Sequence, residues 1–119
     1  MIHEFKPGDY LIFQIESGYG LLRVLAIDEG PGDGVWHLAA YEDLFLEPEG
    51  AESAIAGDQA LNLKETHLAI TNRAFESTQV SKIGEGPLEP EAVADLEKWR
   101  SDAEARVSDR SVRLLLGLR

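Results

Sequence analysis

Apolar residues form strand-like runs along the first three quarters of this chain and recur with a helical period in the last quarter. Tyr10 to Ile15 and Tyr19 to Ile27 are rich in β-favouring residues. Val35 to Tyr41 follows a period of two, which places Val35, His37, Ala39 and Tyr41 on one face and Trp36, Leu38 and Ala40 on the other. Turn residues separate these runs. Lys6-Pro7-Gly8-Asp9 precedes the first, with Pro presetting one backbone angle and Gly supplying the permissive one. Glu16-Ser17-Gly18 has the length of a hairpin loop, and Gly20 marks a bend or a close backbone approach. Leu63 to Thr71 and Gln79 to Ile83 read as two further short strands, separated by residues 72–77. About five strands of this length predict a mainly β (α+β) fold, either an SH3-like small barrel or a curled antiparallel sheet.

From Pro90 the period changes. Ala92, Leu96, Trp99, Ala103 and Val107 recur at close to 3.6 residues, predicting a helix packed on the sheet through Leu96 and Trp99. Pro90 suits a first helical position, and Glu89, Glu91 and Asp95 precede Arg100, Arg106 and Arg110 in the order the helix dipole favours. Val112 to Leu116 reads equally as a last helical turn or a closing strand. Residues 42–58 show no period, so they are read as a mobile connection with Leu44-Phe45-Leu46 as an apolar anchor. The 119 residues suit one domain, with a β-rich part over 1–88 and a helical part over 89–119.

Charge sharpens this picture. The forty residues between Arg23 and Lys64 contain no lysine or arginine, yet hold Asp28, Glu29, Asp33, Glu42, Asp43, Glu47, Glu49, Glu52 and Asp58. Chain totals are 22 acids and 11 bases, a formal charge of -11, and the stretch from Lys98 onward carries six bases and three acids. Such a field attracts basic proteins or divalent cations and repels nucleic acid. The arginine-bearing tail, Arg106, Arg110, Arg113 and Arg119, is better suited to neutralising this midsection than to touching a phosphate backbone. With no cysteine there is no disulfide and no thiolate site, and no apolar run reaches the roughly 20 residues that span a bilayer. The N-terminus lacks the pattern of a signal peptide, so the expected location is cytoplasmic, with no membrane partner.

Candidate chemistry is sparse. Asp28, Glu29 and Asp33 offer hard oxygens for Ca2+ among Gly30, Gly32 and Gly34, but Gly stands where an EF-hand loop needs acids and Ala39 occupies its twelfth place. Tyr41, Glu42, Asp43, Phe45, Glu47 and Glu49 make an acidic lip suited to a basic protein partner if the aromatics face outward, and a plain solvated edge if they pack inward. His3, His37 and His67 lack metal-motif spacing, although His37 and His67 lie on separate predicted strands that could meet across a sheet. Trp36 and Trp99 read as core anchors. There is no nucleophile elbow and no phosphate loop, hence no catalytic constellation. The leading expectation is a non-catalytic protein without cofactor that presents Asp28, Glu29, Asp33, Glu42, Asp43, Glu47 and Glu49 to a basic partner. The alternative is a calcium-binding protein using Asp28, Glu29 and Asp33.

Phe5-Lys-Pro-Gly-Asp-Tyr-Leu-Ile-Phe13, followed by Gly18-Tyr-Gly-Leu-Leu-Arg-Val-Leu25, resembles the opening of small bacterial immunity proteins of polymorphic toxin systems, the Imm26-like group. The resemblance covers about a third of the chain, and its elements are shared by many SH3-like barrels. It implies a non-catalytic inhibitor that occupies a toxin's basic substrate site, and it assigns no individual residue.

Overall fold

The structure, a computed structural model, describes residues 5–29, 34–57 and 60–118. Five strands, β1 (Asp9–Ile15), β2 (Gly18–Asp28), β3 (Val35–Tyr41), β4 (Leu63–Thr71) and β5 (Val80–Glu85), form one antiparallel sheet in the order β4-β3-β2-β1-β5. Because β4 and β5 stand at opposite edges, the sheet is open. Of the two arrangements the strand pattern allows, the antiparallel sheet rather than the closed barrel is the one adopted. Four helices pack on it: α1 (Pro48–Ala56), α2 (Asn72–Glu76), α3 (Ala94–Arg100) and α4 (Val112–Leu116), with a 3-10 turn over Pro90–Val93 leading into α3.

The turn before β1 works through its side chain as well as its glycine. Gly8 adopts φ 97°, and the buried Asp9 carboxylate accepts from the Lys6 backbone N–H at 2.9 Å and pairs with Lys6 Nζ at 3.0 Å and Lys82 Nζ at 3.2 Å. A buried carboxylate is tolerated when it is hydrogen-bonded and paired in this way.

Alternation sorts the strands into two covered faces. Phe13, Leu22, Val24, Trp36, Leu38 and Ile70 point to one face, where Ala74 and Phe75 of α2 and Val112 and Leu116 of α4 complete the main core. Trp36 stacks on Phe75 with ring centroids 3.7 Å apart and donates its indole N–H to Asn72. On the opposite face, Ile12 and Leu21 pack under Ala51 of α1, and Leu25 and Ala39 pack under Leu96 of α3. A bulge then switches the parity of β2. Val24 pairs with Leu38 and Ala26 with His37, so Leu25 is an extra residue, after which Ala26 joins it on the α3 side and Ile27 turns to the main core.

Two segments depart from expectation, and a third takes one of its two expected forms. Residues 48–56, read as part of a mobile connection, form α1: Pro48 starts the helix, and Ala51 and Ala54, three apart, share its buried face. The helix expected to run from Pro90 through Val107 ends at Ser101. Ser101 Oγ bonds Glu97 O and the Asp102 carboxylate accepts from Glu104 N, local bonds that compete with helix propagation. Ala103 and Val107 therefore lie outside it. Val112–Leu116 is a helical turn, capped by Ser111 and ended by Gly117 at φ 69°.

Candidate functional site

The acidic residues divide between the two ends of β3. Asp28, the last residue of β2, pairs with Val35 where β3 begins, whereas Glu42 and Asp43 follow Tyr41 where it ends. Seven strand residues separate the groups by about 20 Å. Asp28 and Glu29 are thus not brought together with Glu42, Asp43, Glu47 and Glu49, and Asp33 lies outside the described residues.

At the Asp28 end, strand register assembles a cluster that the charge pattern did not reveal. His37 pairs with Ala26 on one side and Ala69 on the other, so Asp28 and His67, each two residues away from a partner, are its diagonal neighbours on the same face. Asp28 Oδ2 lies 2.8 Å from His37 Nε2, and His37 Nδ1 lies 2.8 Å from His67 Nε2. A carboxylate only accepts, so His37 carries its proton on Nε2 and accepts at Nδ1 from His67 Nε2–H. Trp99 of α3 meets both imidazoles edge-on at centroid distances of 4.9 and 5.6 Å, and Arg100 donates to Asp28 Oδ1 at 2.7 Å. Trp99 is a half-buried cover over this pair, while Trp36 is the core anchor expected of it.

Electrostatics define what this cluster can do. Burial lowers the His37 pKa against the opposing pull of Asp28, and burial followed by the neighbouring His37 holds His67 down at about 4. Both rings are neutral at neutral pH, and an imidazole that protonates only near pH 4 is a poor general base there. The arrangement ties β2, β3, β4 and α3 together. It also bears on the calcium alternative: both Asp28 oxygens are engaged, by His37 and Arg100, so a cation at this loop must first displace an arginine. No group of three or more His, Cys, Asp or Glu among the described residues is arranged to hold a metal ion.

At the other end, residues 42–49 form a built edge. Phe45 exchanges backbone bonds with Tyr19 (2.7 and 2.9 Å), Glu42 N donates to Asn62 O at 2.7 Å, and Asp43 Oδ1 accepts from Asn62 N at 2.7 Å. Phe45 and Tyr41 turn inward onto the Ile12 and Leu21 cluster, so the outward-facing aromatics on which the acidic lip was to present itself are not formed, and any apolar contact there falls to other side chains. Alternation then sends Leu44 and Leu46 outward, 49% and 85% exposed, so these two do not anchor the segment. Glu42, Glu47 and Glu49 are exposed around them, and Leu63, paired with Tyr41, is exposed beside them. The sequence signal for this feature was present in the Leu-Phe-Leu alternation, but which parity faced the core depended on the Tyr19 bridge.

No described helix is long and apolar enough to cross a membrane. Neither a protein-family model, nor a curated protein, nor a solved structure matches this chain.

Proposed function

We propose that the protein is a non-catalytic binding module whose 42–49 lip engages a basic protein partner. One observation carries the reading: Leu46 and Leu44 stand exposed on a backbone pinned at Tyr19 and Asn62, ringed by Glu42, Glu47 and Glu49. An apolar centre inside a charged rim is the anatomy of a protein interface, in which the centre supplies affinity and the rim supplies steering and selectivity. The base-free run from 24 to 63 sets the sign of the partner. Asp28, at the far end of the sheet and paired with Arg100, does not belong to the contact. The resemblance to immunity proteins makes a toxin's basic substrate site one such partner.

Panning a display library of random peptides on the folded protein tests this directly. Enriched sequences should combine Lys or Arg with large apolar residues, and their affinity should fall about tenfold between roughly 0.05 and 0.5 M salt. Leu46→Asp and Glu47→Lys should each abolish enrichment. Neutral or acidic winners, or peptides that bind Leu46→Asp as well as the parent, would refute the lip as the contact surface.

A further inference from the structure

A groove beside the β1 edge carries the opposite chemistry to the lip. β5 pairs with β1 only from Asp9 to Phe13, whose partner is Val80, so Gln14 and Ile15 continue beyond the last pair. A groove of about 230 Å³ opens there over Ile12 and Val80, walled by Gln14, Tyr19, Gln79 and Ser81, with Arg113 of α4 entering it. Among the described residues no carboxylate lines it, in a chain where acids outnumber bases 22 to 11. Arg113 is oriented by the protein: Nε and Nη2 both donate to Gln14 O, at 2.9 and 2.6 Å. A guanidinium has five N–H donors, so two bonds to one carbonyl leave three without an acceptor among the described residues.

We propose that this groove binds a small carboxylate, held by the free edge of the Arg113 guanidinium with Gln79 and Ser81 supplying neutral hydrogen bonds. The class follows from charge and shape. A single cation matches a monoanion, and the guanidinium fork matches the two carboxylate oxygens. A phosphate dianion would bring a second negative charge into the field of a molecule already at -11, with no second cation among the described residues that line the groove to offset it.

The test is a side-chain NMR titration of the full chain with N-acetylglycine, using N-acetylglycine amide and inorganic phosphate as contrasts. N-acetylglycine should move the Arg113 Nε–H and Gln79 amide resonances saturably, with Kd on the order of millimolar for so small a ligand. Arg113→Gln should weaken binding roughly tenfold or more, as expected for loss of a charge-assisted fork. Gln79→Ala, at an exposed residue outside β5, should weaken it several-fold and keeps the test decisive if Arg113→Gln fails to fold. Equal binding of the amide, tighter binding of phosphate, or no saturable shift at Arg113 would overturn the proposal.

Discussion

Gly20 lacks a side chain because Phe13 occupies the space a side chain would need. The two residues face each other across the β1–β2 pair, and a Cβ on Gly20 would overlap the Phe13 ring. This is the close approach expected from the sequence, made here by an aromatic side chain rather than by backbone. Gly20→Ala should cost about 1–3 kcal/mol through overpacking, measured by urea unfolding, and the cost should shrink in a Phe13→Leu background. An unchanged cost in that background would show that Phe13 is not the obstacle. His37 and His67 make a second prediction at this scale. Their folded pKa values lie below the unfolded value near 6.5, so the unfolded state binds more protons as pH falls, and stability should drop from about pH 6.5 toward the His67 value of about 4. At about 1.4 kcal/mol per unit, His67 alone accounts for up to roughly 3 kcal/mol. Asp9, Glu85, Asp95 and Asp109, whose pKa values are lowered by hydrogen bonds and neighbouring bases, begin to contribute to acid lability about one pH unit above their unfolded values of 3.8 to 4.5, so the window above about pH 5.5 isolates the imidazoles. Melting temperatures should therefore fall between about pH 7 and 5.5, and His67→Gln should flatten that slope. A flat parent profile would mean the rings are not held neutral.

At the scale of elements, long strands were legible and short helices were not. β3 and β4 coincide with the runs Val35 to Tyr41 and Leu63 to Thr71, and β1, β2 and β5 differ from their predicted runs only at the ends. Seven or more residues provide several cycles of a two-residue period. α1 leaves little trace in the hydrophobic pattern because small residues form its buried stripe: Ala51 and Ala54 produce a faint amphipathic signal, and small side chains let the helix sit close to the sheet. The helix after Pro90 is shorter than its period for the opposite reason, since Ala103 and Val107 continue the spacing after Ser101 and Asp102 have ended the hydrogen bonding. Ala51→Leu should destabilise by about 1–3 kcal/mol by thermal or urea unfolding, whereas Glu52→Ala, on the exposed side, should stay within about 0.5 kcal/mol. Equal effects at the two positions would mean that α1 does not pack as described.

For the whole molecule, the question is where its charge resides. Acids at both ends of β3 repel across the fold, and the C-terminal arginines answer only part of them: Arg100 meets Asp28, while Arg113 bonds a carbonyl. Screening should therefore raise the melting temperature by a few degrees between roughly 0.02 and 0.2 M salt while weakening contact with a basic partner. A melting temperature that falls over this range would mean that attractive pairs outweigh the repulsion. By itself, the sequence determined the strands, their two faces, the turns between them and the sign of the electric field, because each follows from local periodicity, local turn chemistry or a simple sum of charges. The hairpin loop over 16–18 also makes β1 and β2 neighbours, whereas tertiary structure alone decided where β4 and β5 pair and in what register the strands meet. That register joins Asp28, His37 and His67, separates Asp28 from Glu42, turns Leu46 outward, and brings Arg113 to Gln14, 99 residues away in the chain. Such contacts depend on the pairing of distant segments, and no local pattern encodes a partner so far along the chain.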